Sequence, residues 1–175
     1  MSPITIYLSL LAIQFLLTSL FVIRYSLFIQ ATMKEIQTEI QIQASPETIW
    51  KILMDFEHYP DWNPFIKTLS GEQEVGSRLT AFIGPPGKSG MTFKPKVLVY
   101  NPNHEFRWLG KLRSGLLFNG EHYFILKELG NHSTQFIHGE KFTGILVGVL
   151  GKMLDSTKNG FEAMNRSLKE RAERL

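Results

Sequence analysis

Between Arg78 and Phe142 the chain repeats one pattern five times: a strand-like stretch rich in β-branched and aromatic residues, then a turn built from Gly, Pro, Asn or Ser. The stretches run from Arg78 to Ile83, Met91 to Tyr100, Glu105 to Lys111, Leu117 to Leu129 and Thr134 to Phe142. Turn chemistry separates them at Pro85-Pro86-Gly87, Asn101-Pro102-Asn103, Arg113-Ser114-Gly115 and Gly130-Asn131. Successive short connections of this kind allow only antiparallel pairing, because a parallel return needs a long crossover. A further strand is expected upstream, where Glu35 to Gln43 alternates with Ile36, Ile40 and Ile42 on one face.

Helical signals bracket the strands. Ser45-Pro46-Glu47 supplies an N-cap, a proline at the first helical position and an acid near the positive helix end. Ile49, Trp50, Ile52, Leu53 and Phe56 follow at helical spacing. Tyr59-Pro60-Asp61-Trp62-Asn63-Pro64, with its two prolines, predicts a helical turn or tight loop. From about Ile145 to the end Leu146, Val149, Leu150, Met153, Leu154, Phe161, Met164 and Leu168 form one apolar stripe, so the chain is expected to close on a long amphipathic helix. One apolar sheet face and one apolar helix stripe pack economically when a curved antiparallel sheet wraps the helix, an α+β arrangement.

Ahead of this domain, Ile4 to Ile23 contains no charged residue. Its length matches the about 20 helical residues that cross a hydrocarbon core. It lacks the basic start and small-residue cleavage site of a secretory signal, so a single-pass anchor is expected. Arg24 and Lys34 follow the segment and favour a cytoplasmic C-terminal domain. Residues 1–33 then form anchor and linker and residues 34–175 the domain. An alternative start of translation at Met33 would remove the segment altogether.

The formal net charge is +3, and about +2 without Arg24, too little for a nucleic-acid footprint. The absence of cysteine excludes disulfides, thiol nucleophiles and zinc-thiolate sites. A Gly-Lys-Ser string at 87–89 is not a phosphate loop: Phe82 stands where the first glycine belongs, prolines remove backbone donors, and a strand follows.

In order along the chain, Ser45-Pro46-Glu47-Thr48-Ile49-Trp50, the segment Tyr59 to Pro64, Phe106-Arg107-Trp108, Gly120-Glu121-His122 and the segment His138 to Gly144 resemble the SRPBCC superfamily, which includes START-like, polyketide cyclase-like and birch-allergen-like proteins. The resemblance covers about Lys34 to Leu175. It implies a helix-grip fold with a cavity for a hydrophobic ligand between sheet and terminal helix. It does not imply one activity, since binders, carriers and enzymes share the scaffold.

The residues give the cavity candidate walls. Phe118, Gly120, His122, Phe124 and Leu126 share one strand face, and Thr134, Phe136, His138, Glu140 and Phe142 share another. A three-residue loop between these strands pairs His122 with Glu140, and a four-residue loop pairs it with His138. Either register gathers three polar groups among aromatics, where they orient a ligand, form a satisfied internal pair, or act as general acid and base. Two histidines and a carboxylate also admit a facial iron site, although no ligand geometry is fixed by the sequence, and no metal or other cofactor is assigned. The candidate ligand-binding residues are Trp62, Phe82, Phe93, Trp108, His122, Phe124, Phe136, His138, Glu140, Val149 and Met153; no catalytic residue is assigned. Gly144, Gly148 and Gly151 open the terminal helix, where their cost is expected to be offset by close approach to the sheet or by space for a ligand.

The expected function is a membrane-anchored binder or carrier of a lipid, quinone or polyketide-like molecule, with membrane contact through residues 4–23. The alternatives are a cyclase, dehydratase or hydrolase using His122, His138 or Glu140, and a protein-interaction module.

Overall fold

The computed structural model describes the backbone of residues 3–31, 33–84, 87, 89–112, 117–149 and 151–175, and side chains over the same ranges except 3–7, 9, 26–31, 112, 149 and 151–153. The elements in chain order are α1 (Pro3–Ala31), β1 (Met33–Ile42), α2 (Pro46–Met54), α3 (Tyr59–Trp62), β2 (Ile66–Ser70), β3 (Thr80–Ile83), β4 (Met91–Phe93), β5 (Lys96–Asn101), β6 (Glu105–Leu112), β7 (Phe118–Gly130), β8 (Ser133–Thr143) and α4 (Gly151–Ala172). Short 3-10 turns precede α3 at Phe56–His58 and α4 at Val147–Val149.

The antiparallel sheet and terminal helix are present as the sequence implies, an α+β helix-grip arrangement. The strands divide into a five-stranded sheet, β1-β8-β7-β6-β5, and a three-stranded sheet, β2-β3-β4. The stretch expected as one strand from Met91 to Tyr100 splits at Pro95, where the missing N–H interrupts a ladder. The Pro95 carbonyl still accepts from Leu79 at 2.9 Å, and an isolated Arg78–Lys96 bridge links the two sheets there. β2 escaped the sequence reading because a register irregularity between Ile66 and Thr68 breaks its alternation.

Ser45 caps α2 as expected, its hydroxyl accepting from the Thr48 N–H at 3.3 Å. α4 begins later than Ile145. Gly144 has φ +122°, and an added Cβ would lie 2.5 Å from the Leu117 carbonyl oxygen, so this glycine turns the chain out of β8. Phe161, Met164, Leu168 and Ala172 of α4 are buried in one core with Ile49 and Leu53 of α2 and with Phe106, Phe124 and Phe136 of the large sheet. On the outer face Arg107 bridges Glu105 and Glu121.

Among the described residues no helix is long and apolar enough to cross a membrane. The span expected at residues 4–23 is therefore not shown. What is described is a helix whose apolar side chains are exposed all around, from Leu10 at 59% to Phe15 at 75% and Phe21 at 71%.

Candidate functional site

Register across β6, β7 and β8 builds the site as three successive rungs. The innermost is Phe106–Phe124–His138, the next Trp108–His122–Glu140, and the outermost Gly110–Gly120–Phe142. The hairpin thus takes the register that pairs His122 with Glu140. Large side chains fill the first rung. The two glycines of the third leave space.

That space is a cavity of ≈ 420 Å³ between the two sheets and the first half of α4. Ile83, Met91, Phe93, Phe118 and Phe142 supply apolar wall, and Ser156 and Thr157 of α4 border it. Its inner end is closed by Trp108, His122 and Glu140. Volume and lining both suit a small hydrophobic ligand with a few polar contacts.

The polar residues form one chain. His122 stacks on Trp108 with ring centroids 4.5 Å apart, and its Nε2 lies 3.0 Å from His138 Nε2. His138 stacks on Phe161 of α4 at 3.9 Å, and its Nδ1 lies 2.8 Å from Asn165 Oδ1. Asn165 Nδ2 donates to Thr38 Oγ1 at 2.9 Å, and the Thr38 hydroxyl reaches the His138 carbonyl at 3.2 Å. Toward the cavity, His122 Nδ1 is 3.6 Å from Glu140 Oε2, longer than a hydrogen bond. An added Cβ at Gly120 would collide with the Glu140 carboxyl, so glycine is what leaves that carboxyl its place.

Burial sets the protonation of this chain. Desolvation pushes Glu140 up to about 8 and His122 down to about 3. His138 is lowered by desolvation and then by neighbouring His122, against a smaller opposing effect of its bond to Asn165. Near neutral pH the cavity end therefore presents a protonated carboxyl beside a neutral imidazole. The facial iron arrangement is not formed: both nitrogens of His138 are engaged by protein atoms, and of the three residues His122 and Glu140 line the cavity while His138 does not.

Of the residues expected to line a site, Phe93, Trp108, His122 and Glu140 do line the cavity. Phe124, Phe136 and His138 are fully buried behind it. Trp62 packs edge-on against Tyr59 at 5.2 Å, away from the cavity. Phe82 is 38% exposed, because Ala81 and Ile83 take the inward positions of β3. Side chains of Val149 and Met153 lie outside the described residues. Gly148 is exposed, and among the described residues an added Cβ there meets nothing within 4 Å, so no close approach to the sheet is described at this glycine. Close approaches are made by Gly144, beside the Leu117 carbonyl, and by Gly160, where an added Cβ would collide with the Phe65 ring.

Thr38 and Asn165 were missed, yet both carried a signal. Thr38 is the polar residue between Ile36 and Ile40 on the inward face of β1, and Asn165 interrupts the stripe of Phe161, Met164 and Leu168. A polar residue in an apolar row requires an internal partner.

The family described as polyketide cyclase / dehydrase and lipid transport matches residues 33–173. No functionally curated protein matches the sequence. Among solved structures, the chain is similar to the Zhui aromatase/cyclase from Streptomyces sp. R1128, with a TM-score of 0.66 at 16% identity over 81% of this chain and 94% of that one. It is similar to a START superfamily protein from Mycobacterium smegmatis, with a TM-score of 0.59 at 25% identity over 81% and 98%. It also resembles norcoclaurine synthase from Thalictrum flavum in complex with dopamine and hydroxybenzaldehyde, with a TM-score of 0.61 at 17% identity over 83% and 90%.

Proposed function

The chain belongs to the polyketide cyclase / dehydrase and lipid transport family, and from that premise we propose that it is a membrane-tethered binder or carrier of a hydrophobic small molecule, of lipid, quinone or polyketide-like character. The observation that carries this reading is the cavity of ≈ 420 Å³, walled by aliphatic and aromatic side chains and polar at its inner end. The test is Gly110→Leu. Among the described residues, the Gly110 Cβ position has only the Gly120 carbonyl within 4 Å, at 3.8 Å, and Gly110 lines the cavity, so a leucine there takes up cavity space. Uptake of a hydrophobic fluorescent probe should fall at least tenfold while unfolding stays cooperative. Unchanged uptake would remove the cavity from the function, and native mass spectrometry of the parent protein should reveal the co-purified ligand.

Tethering is supported by α1, whose described apolar side chains are exposed on all sides, a pattern that suits lipid better than water. Arg24 and Lys34, following the apolar segment, favour a cytoplasmic domain. Full-length protein should stay with membranes through high-salt and alkaline washing, and its release would overturn the tether.

A second reading, a cyclase or dehydratase, is favoured by the protonation of Glu140 and His122. A carboxyl held near pKa 8 keeps its proton at neutral pH and can act as a general acid at the cavity end, with the neutral His122 ring beside it as a hydrogen-bond acceptor. Glu140→Gln separates the readings. A carrier should retain ligand uptake and lose no reaction, whereas an enzyme should lose turnover by about a hundredfold to ten-thousandfold.

A further inference from the structure

The buried polar chain has a direction, and it can be derived from one atom that has no choice. The His138 carbonyl oxygen can only accept, and the Thr38 hydroxyl has a single hydrogen to give it. Thr38 Oγ1 must then accept from Asn165, which places Nδ2 of the amide toward Thr38 and Oδ1 toward His138. Oδ1 can only accept, so His138 carries its proton on Nδ1. A neutral imidazole has one N–H, leaving His138 Nε2 as a lone pair. The 3.0 Å contact between the rings therefore takes its hydrogen from His122 Nε2. What remains on His122 is a bare Nδ1, in the cavity wall and 3.6 Å from Glu140 Oε2.

We infer that Thr38 and Asn165 are positioning residues that hold His122 as a hydrogen-bond acceptor toward the cavity, so that the polar end of the bound molecule is a hydroxyl donating to His122 Nδ1 and accepting from the Glu140 carboxyl. The separation of the two atoms suits a bridging oxygen: one at ordinary hydrogen-bond distance from both closes a gap too long for a direct bond. Ethers and ketones lack the hydrogen that Nδ1 requires. A carboxylate places negative charge against the Nδ1 lone pair. Discrimination of this kind arises because a buried acceptor left without a donor is costly. The hydroxyl preference rests on the reading of the cavity as a small-molecule site; the tautomer does not.

Two measurements keep these apart. Imidazole 15N NMR of the ligand-free full-length protein in detergent should show His122 protonated at Nε2 and bare at Nδ1, and His138 the reverse. A proton on His122 Nδ1 would overturn the proposal. Thr38→Val removes the hydroxyl while keeping the side-chain shape, and should turn the His122 signature into a mixture of tautomers; Thr38→Ser should restore it. A Thr38→Val spectrum identical to the parent would equally overturn the positioning role. For selectivity the probes are 2-naphthol and its methyl ether. The parent and Thr38→Ser should favour the naphthol by at least tenfold, and Thr38→Val by less than threefold. Equal binding of both probes by the parent would overturn the hydroxyl preference. Binding of neither would count against the small-molecule reading, with the tautomer still judged by NMR.

Discussion

The space between the large sheet and α4 is packed at one end and hollow at the other, although that sheet and helix run along both, and the small sheet walls the hollow end. Toward the C-terminal half of α4, Phe161, Met164 and Leu168 meet Phe106, Phe124 and Phe136 in a continuous core. Toward its N-terminal half, α4 offers Ser156 and Thr157, and the sheet offers the paired glycines Gly110 and Gly120. Between them lies the polar rung of Trp108, His122 and Glu140. Side-chain volume on neighbouring rungs, rather than a change in backbone architecture, makes the cavity.

The sharpest way to break that comparison is to truncate one aromatic on each side. Phe124→Ala empties a fully buried position and should cost about 3–5 kcal/mol, since packed surroundings relax only in part. Phe93→Ala removes a half-buried wall residue that already borders open space, and should cost about 1 kcal/mol or less while changing probe affinity. Denaturant midpoints measure both. Equal losses would mean that the hollow end is closed and packed in solution.

Acidity sharpens the same boundary. Glu140 keeps its proton in the folded chain to about pH 8, against an ordinary value of 4.5, so the folded state holds the extra proton between these values and stability falls as pH rises. His122 and His138 act oppositely: below 6.5 the unfolded chain binds protons that their buried rings refuse, and stability falls as pH drops. With both histidines outweighing one carboxyl below 6.5, stability should peak near pH 6.5. It should then decline by about 1 kcal/mol toward pH 8, the loss through Glu140 being partly offset as the unfolded chain's histidines finish losing their protons. Glu140→Gln should flatten that decline. The exposed His58–Asp55 pair also weakens with rising pH, but it is common to both proteins and cancels in the difference.

Much of this was legible from residue order. Alternation and turn chemistry placed β6, β7 and β8 within a residue or two, and the shared strand faces already held Phe118, Gly120, His122 and Phe142. Two limits were physical. The choice between Glu140 and His138 as the partner of His122 depended on loop register, and the bulge between Glu128 and Gly130 is invisible in a periodic pattern. The contribution of α4 was obscured because a polar residue in an apolar stripe announces that it has a partner without saying which. Asn165 finds Thr38 from 127 positions away, across the sheet–helix interface.

The smallest expected effect comes from the two helix glycines, where one methyl group distinguishes a tight contact from an open position. At Gly160 the added Cβ collides with the ring of Phe65, which packs edge-on against Phe161 at 5.3 Å and has no free end to swing away. Gly160→Ala should therefore cost about 1–3 kcal/mol, as overpacking does. Gly148 is exposed in the 3-10 turn before α4, next to the buried Val147; among the described residues its added Cβ meets nothing within 4 Å, and its φ is not in the left-handed range. Gly148→Ala removes unfolded-chain freedom without a native penalty, so it should stabilise by roughly 0.4–1 kcal/mol and leave probe uptake unchanged. Thermal unfolding of the two variants side by side decides the matter. A loss at Gly148 comparable to that at Gly160 would show that the turn packs against protein, and that the hollow end of the helix–sheet space is narrower than the cavity described.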